Sequence, residues 1–173
     1  MNLIHEAIVF ATCKHNGYKR KGTDIPYISH PMEVMQILTE SDCRENVIIA
    51  GILHDTLEDT KTTPAEISNL FGEEVLNLVS AESEDKTKTW KERKQATVNN
   101  LADASPDVKM VCLADKLSNL RSMAADKRAI GEKLWERFNA NKDDIEWYYR
   151  QIGKIAFHPL DKEYHSLLSE IFG

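Results

Sequence analysis

An apolar segment of the chain ends in four ionisable residues whose types and spacing could bind a metal ion. Residues 48–53 are apolar, and His54, Asp55, Glu58 and Asp59 follow them. Residues three or four apart lie on one face of a helix, so these side chains can meet. A helix that is apolar all round is normally buried, and burying unpaired carboxylates is costly. A bound cation is the simplest way to compensate three carboxylates beside one imidazole.

Two further residues are candidate ligands, His30 and Asp115. His30 lies directly before Pro31, where a helix is expected to begin, and a ring in such a rigid turn can point inward. Asp115 lies on an otherwise apolar helix face, and a carboxylate there needs a partner. The residues of that face are Val108, Val111, Cys112, Asp115 and Asn119. Taken singly, an inward aspartate is more often a structural residue, and a histidine before proline more often packs. Their occurrence together with residues 54–59 favours a site.

Imidazole and carboxylate ligands without a thiolate suit manganese, iron, zinc or magnesium with open positions for water. Such an ion lowers the pKa of bound water. Glu58 or Asp59 can accept the remaining proton or orient the water. Closely spaced carboxylates titrate as a pair, so the pattern leaves open which of them is the base.

Length and composition predict one soluble globular domain over residues 1–173, with a mass of 19.7 kDa. No segment approaches the roughly 20 apolar residues of a membrane span, and the N-terminus lacks the pattern of a signal peptide. Cys13, Cys43 and Cys112 form no CxxC pair, which is typical of free thiols in a reducing cytoplasm. The net charge of −6 argues against nucleic-acid binding by the whole surface. We therefore expect a cytoplasmic protein.

Frequent helix caps and scarce strand-type alternation predict an all-α fold, a single-domain helical bundle. Thr63 to Glu66 and Thr89 to Glu92 have the capping-box pattern, and Pro64 suits a first helical position. The predicted helices are 2–15, 31–40, 44–59, 64–71, 73–81, 91–103, 106–125, 131–139, 142–156 and 160–171. We expect Tyr148 to pack in the core.

Two segments concentrate positive charge in this acidic chain. Residues 14–22 form a basic, glycine-containing connection, and residues 85–94 contain five cations. Such runs are usually solvated surface, so by themselves they indicate little.

The motifs together resemble a known family. His30, His54-Asp55 and Asp115 match the H…HD…D signature of HD-domain metal-dependent phosphohydrolases. Residues 26–31, 53–60 and 113–121, with Arg20-Lys21 before them, resemble the hydrolase domain of the RelA/SpoT homologues more narrowly. The similarity is dense from about residue 5 to about residue 125. The chain therefore resembles a stand-alone small alarmone hydrolase.

This resemblance implies roles for particular residues. It implies manganese ligands at His30, His54, Asp55 and Asp115, and a water-activating pair at Glu58 and Asp59. The substrate contacts that it implies are Arg20, Lys21, Lys86, Arg93, Lys94 and Asn119. With Arg121, these cations could stabilise charge that develops on phosphate oxygens.

The leading hypothesis is hydrolysis of the 3′-pyrophosphate from (p)ppGpp, a small-molecule nucleotide substrate. One alternative is the same chemistry on an adenine alarmone, a nucleoside phosphate or a phosphorylated dinucleotide cofactor. Another is a catalytically silent HD domain that senses nucleotide or metal, although such a domain has no need of Glu58 and Asp59. A nucleic-acid-binding module fits least, given a pI near 5.5. The pattern leaves the oligomeric state open.

Overall fold

The computed structural model describes residues 2–173, and within them the secondary structure is helical, with no strand. A single isolated antiparallel bridge pairs Lys19 with Pro26. The all-α prediction is confirmed. The helices are α1 (Leu3–Lys14), α2 (Ser29–Glu40), α3 (Glu45–Leu53), α4 (Thr56–Asp59), α5 (Pro64–Phe71), α6 (Glu73–Glu82), α7 (Trp90–Ala102), α8 (Pro106–Ile130), α9 (Lys142–Gly153) and α10 (Asp161–Phe172).

The chain divides into two compact units. Of the described residues, the first comprises those up to Glu84 together with Ser105–Asp115, and the second comprises Asp85–Ala104 and Lys116–Gly173. The single domain over 1–173 stays a prediction, and its first residue lies outside the described part of the chain. No helix within residues 2–173 combines the length and the apolar composition that crossing a bilayer requires.

Helix α3 is the centre of the first unit. Helices α1, α2 and α6 pack against it, and α5 packs against α6. Every residue from Val47 to Leu53 is buried, as expected for a helix that is apolar all round. The helix that the sequence predicts as wholly buried is therefore the one around which this unit is built.

The predicted continuous helix 44–59 is wrong, because α3 ends at Leu53 and α4 begins at Thr56. At this break, two side chains form hydrogen bonds with backbone carbonyl oxygens. His54 Nδ1 lies 2.7 Å from the Gly51 oxygen, and the Thr56 hydroxyl donates to the Leu53 oxygen at 2.7 Å. In an unbroken helix those oxygens would accept the backbone N–H groups four residues later. Side-chain donors that compete with backbone donors interrupt the helix at His54 and Asp55.

The other predicted elements lie within a few residues of their expected positions, with one change of type. Residues 131–139 were expected to form an α-helix, but Gly131–Arg137 is a 3₁₀ helix. Gly131 has φ of +61°, a conformation that ends α8 and that glycine adopts readily. Both predicted capping boxes are present, at Thr63 and Thr89.

In the second unit, α9 packs against α7 and α10. Tyr148 is buried, and its ring contacts Trp90 edge-on at 6.2 Å between centroids. The Tyr164 hydroxyl donates to the Tyr149 carbonyl at 3.1 Å. The prediction that Tyr148 packs in the core is confirmed.

Removing the cap of α5 tests how much the capping box contributes to the free energy of unfolding. The Glu66 N–H donates to Thr63 Oγ1 at 3.3 Å, and the Thr63 N–H donates to Glu66 Oε2 at 2.8 Å. Thr63→Ala should lower the free energy of unfolding by about 0.5–2 kcal/mol, measured by urea denaturation, while Thr63→Ser should restore it. Ser68→Ala removes a hydroxyl within the same helix and should be near neutral. An equal loss in both alanine variants would contradict a capping role.

Candidate metal centre

Three of the predicted ligands come together in the first unit. His30 lies in the first turn of α2, His54 follows the end of α3, and Asp115 lies in α8. All three side chains are buried, and one ligand atom from each lies within 4.8 Å of the other two. His30 Nε2 is 3.1 Å from Asp115 Oδ1, and His54 Nε2 is 3.8 Å from that oxygen.

A close approach of α2 and α3 brings the two histidines together. A Cβ atom on Gly51 would lie 2.3 Å from Leu38 Cδ1 and 3.1 Å from Val34 Cγ1, so the two helices pack more closely than a larger residue would allow. The start of α2 and the end of α3 then lie side by side. The His30 and His54 ring centroids are 5.1 Å apart.

The backbone fixes the orientation of the His54 ring. Its Nδ1 lies 2.7 Å from the Gly51 carbonyl oxygen, so Nδ1 carries a hydrogen and donates. Nε2 is buried and makes no hydrogen bond, although it lies 2.9 Å from Asp55 Oδ2. A buried nitrogen without a hydrogen bond, facing two carboxylates, fits a divalent cation, and a carbonyl partner on the other nitrogen is typical of metal-bound histidine.

Asp55 lies beside this group of three. Its Oδ2 is 3.7 Å from His30 Nε2 and accepts a hydrogen bond from the Tyr27 hydroxyl at 2.5 Å. The group whose ligand atoms all lie within 4.8 Å of one another consists of His30, His54 and Asp115, and Asp55 is not part of it. Its role as a fourth ligand stays a prediction.

Opposite charges shift the pKa values of this cluster. Burial disfavours the charged form of His54, but the Asp55 and Asp115 carboxylates outweigh burial and raise the pKa of His54 to about 9. Burial also opposes ionisation of Asp55, yet His54 holds the pKa of that carboxyl well below its usual range. Burial lowers the pKa of His30 despite its contact with Asp115. The cluster therefore favours the ionised form of Asp55, which is the form that binds a metal.

The predicted water-activating pair lies in α4, directly after the ligands. The Asp59 N–H donates to the Asp55 carbonyl at 2.9 Å, so α4 starts from the turn that carries His54 and Asp55. Glu58 is half-buried and Asp59 is exposed. Both lie within about one helical turn of Asp55, which is compatible with their predicted role.

The Arg20-Lys21 segment folds as a small hairpin. The Tyr27 N–H donates to the Tyr18 carbonyl and the Arg20 N–H to the Ile25 carbonyl, both at 2.8 Å. Arg20 is half-buried, and its guanidinium carbon lies 5.7 Å from the centroid of the Tyr27 ring. Lys21 is exposed. Arg20 therefore reaches Tyr27, whose hydroxyl contacts Asp55.

The remaining predicted substrate contacts belong to the second unit. Lys86 is exposed and precedes α7, whereas Arg93 and Lys94 are half-buried within α7. Lys94 Nζ lies 5.0 Å from the centroid of the Tyr148 ring. Asn119 is half-buried and follows Asp115 by about one turn of α8. Their binding role stays a prediction.

Two neighbours of the site were missed at the sequence level, Tyr27 and His15. Tyr27 lies within residues 26–31, but tyrosine is not an expected metal ligand, so no role was predicted for it. His15 lies in a basic run that looked like solvated surface, yet it is 2% exposed. Its ring packs against the Tyr27 ring at 4.9 Å between centroids. Their positions in the recognised segments were the available signal.

Comparison with known proteins identifies the family. The family model for the HD domain matches residues 7–146, and the chain belongs to the HD-domain family. Guanosine-3′,5′-bis(diphosphate) 3′-pyrophosphohydrolase MESH1 of Homo sapiens is 43% identical over 121 residues, which cover 68% of each chain. GTP pyrophosphokinase rsh of Brucella ovis is 41% identical over 171 residues, covering 95% of this chain and 22% of that longer protein.

A solved structure extends the similarity to the whole fold. It belongs to a metazoan ortholog of SpoT that hydrolyses ppGpp, and it superposes with a TM-score of 0.78 at 28% identity. The match covers 99% of this chain and 94% of that one. The resemblance to HD-domain proteins of the RelA/SpoT type is therefore confirmed, and the histidine-aspartate cluster suits a divalent metal.

Removing Asp55 tests whether it is a ligand. Asp55→Ala should abolish retention of Mn²⁺ after dialysis, measured by elemental analysis, because one carboxylate ligand is lost. Asp115→Ala gives the reference loss for a member of the group of three. Asp103→Ala, which changes an exposed aspartate after α7, should retain the metal. Full occupancy in Asp55→Ala would exclude Asp55 from the ligand set.

Proposed function

We propose that this protein hydrolyses (p)ppGpp at its 3′-pyrophosphate, so that water converts ppGpp to GDP and pppGpp to GTP, each with release of pyrophosphate. The observation that carries this proposal is the buried cluster of His30, His54 and Asp115 in a chain that is 43% identical to a guanosine-3′,5′-bis(diphosphate) 3′-pyrophosphohydrolase. The adjacent pair Glu58 and Asp59 supports catalysis rather than binding alone.

In this proposal, His30, His54, Asp55 and Asp115 hold a divalent ion, which we infer to be Mn²⁺. Their donor set of two imidazoles and two carboxylates suits such an ion. When bound, a divalent ion makes water more acidic and polarises phosphoryl oxygens. The Gly51 carbonyl keeps His54 Nε2 available by binding Nδ1. The protein therefore presents its ligands in one fixed tautomer and orientation.

Glu58 or Asp59 accepts the proton of the attacking water, and the other carboxylate orients that water. Both follow the ligand turn directly, and the half-burial of Glu58 suits a group that must accept a proton close to the phosphate. Asp59 is more exposed and can orient the water or pass the proton to solvent. The carboxylates act as a coupled pair.

Cations hold the pyrophosphate groups. Arg20 and Lys21 supply positive charge from the hairpin beside Tyr27, and the guanidinium of Arg20 can bind two phosphate oxygens at once. Lys86, Arg93, Lys94 and Asn119 are further proposed contacts of the nucleotide. These groups stabilise the negative charge that develops on the phosphate oxygens.

We also propose a cytoplasmic location and a single catalytic domain over residues 1–173. Cys13, Cys43 and Cys112 form no disulfide, which supports a reducing compartment. The proposed partner is a small nucleotide, and the net charge of −6 supports the exclusion of nucleic acid.

One assay tests the function directly. The purified protein with Mn²⁺ is incubated with ppGpp, pppGpp, their adenine counterparts, a phosphorylated dinucleotide cofactor and a simple phosphomonoester, and the products are separated chromatographically. Release of pyrophosphate with GDP or GTP, absent in Asp115→Ala, is expected. Preferred turnover of another nucleotide would move the assignment to that substrate. Metal binding without any turnover would instead indicate a nucleotide sensor.

Glu58→Gln separates proton transfer from metal binding. The amide keeps the shape of the side chain but cannot accept the proton, so kcat should fall by about 10²–10⁴-fold while Mn²⁺ occupancy stays unchanged. Glu73→Gln, at the exposed start of α6, is the matched control and should behave as wild type. Loss of the metal in Glu58→Gln would make Glu58 a ligand instead.

Arg20→Ala tests whether Arg20 binds the pyrophosphate. A charge-assisted hydrogen bond contributes about 1.5–3 kcal/mol, so kcat/KM for (p)ppGpp should fall roughly ten- to a hundredfold, mainly through KM. A phosphomonoester offers fewer anionic oxygens and should be affected less. Raised salt should reproduce part of the loss. Lys19→Ala removes the neighbouring cation, which pairs with Asp24, and should have little effect. Wild-type kinetics in Arg20→Ala would remove this hairpin from the site.

A further inference from the structure

Tyr27 is contacted by residues from both parts of the proposed site. Its hydroxyl donates to Asp55 Oδ2 at 2.5 Å. Its ring lies 5.7 Å from the Arg20 guanidinium carbon and contacts the His30 ring edge-on at 5.9 Å between centroids.

The backbone fixes where the Tyr27 ring can lie. The Tyr27 N–H closes the hairpin by donating to the Tyr18 carbonyl at 2.8 Å. The Tyr27 carbonyl accepts the N–H of His30 at 3.0 Å, at the start of α2. Tyr27 therefore ends the hairpin that carries Arg20 and leads into the helix that carries His30. These two bonds fix the backbone from which the Tyr27 ring extends.

His15 also packs against the Tyr27 ring. It is buried, and neither of its ring nitrogens makes a hydrogen bond. Burial lowers the pKa of His15, which keeps the imidazole neutral. The ring lies tilted by 37° against Tyr27, and it meets Tyr18 edge-on at 6.0 Å between centroids. A neutral imidazole without hydrogen bonds acts here as a packing surface, which confines the Tyr27 ring.

The hydroxyl of Tyr27 donates its hydrogen bond to Asp55 Oδ2. A hydrogen bond to one oxygen of a carboxylate restricts its rotation, and such outer contacts orient metal ligands. Asp55 Oδ2, the oxygen that accepts this bond, is also the one 2.9 Å from His54 Nε2. The phenol thus acts on the oxygen nearest to the ligand group.

We propose that Tyr27 is a positioning residue that couples the two parts of the site. Its hydroxyl holds the Asp55 carboxylate in the orientation that binds the metal, and its ring holds the Arg20 guanidinium in the orientation that binds phosphate. The second part rests on the proposed function, whereas the first concerns metal affinity alone.

Two substitutions separate these effects. Tyr27→Phe removes only the hydroxyl, so Mn²⁺ affinity should fall about 10- to 100-fold, measured on metal-free protein by calorimetry or chelator competition. At saturating Mn²⁺, its KM for ppGpp should remain that of the wild type. Tyr27→Leu also removes the ring, so KM should rise as well. Adding Arg20→Ala to Tyr27→Leu should then cost less than Arg20→Ala alone, because the residues act together.

Tyr18→Phe is the matched control. Tyr18 packs on the same histidine and is 46% exposed, and removal of its hydroxyl should leave Mn²⁺ affinity unchanged. Thermal unfolding of each metal-free variant checks that it is folded. Wild-type Mn²⁺ affinity in folded Tyr27→Phe would overturn the role of the hydroxyl. An unchanged KM in folded Tyr27→Leu would overturn the role of the ring. If the wild type does not hydrolyse ppGpp, the proposed function fails, while the affinity comparison still decides the metal part.

Discussion

The compensation of charge between His54 and the Asp55 and Asp115 carboxylates, with the His30 ring packed beside them, is the constraint on which the first unit depends. Removing charged groups from water is costly unless partners are close and well oriented. Here the separations are 2.9–3.8 Å, so the helices that carry these residues must keep their positions within a fraction of that distance. The close packing of α2 on α3 at Gly51 meets this requirement. The burial of the apolar helix α3 therefore also holds the residues of a polar site in position.

A proton and a metal ion are competing ways of balancing this cluster. With a pKa of about 9, His54 carries a proton at neutral pH when no cation is bound, and the charge on its ring offsets Asp55. A divalent cation needs the Nε2 lone pair and so displaces that proton. Either cation would therefore offset the negative charge of Asp55. The Gly51 carbonyl holds Nδ1 in either case, so the ring orientation does not depend on which cation is present.

Most helices and the types of ligand could be predicted from signals between neighbouring residues. Contacts between residues that are distant in the sequence could not. Thr63, Thr89 and Pro106 mark helix starts that depend only on neighbouring residues, and each was placed correctly. The break at His54 and Asp55 was missed because hydrophobic periodicity carries no information about side chains that donate hydrogen bonds to backbone carbonyls. Tyr27 was missed for a related reason. Its partner Asp55 is 28 residues away, and only the folded hairpin brings the phenol to that carboxylate.

The acidic character of the chain does not oppose a highly anionic substrate, because electrostatic effects at a site are local. Exposed charges beyond about 8–10 Å are largely screened at physiological salt, so the net charge of −6 contributes little at the cluster. Near the cluster, Arg20 lies against the Tyr27 ring, and the cluster itself suits a divalent cation. The neighbouring Lys19 is exposed and paired with Asp24, so it adds little positive charge. The pairing and burial of individual cations, rather than their number in the sequence, therefore decide which of them can act on a phosphate.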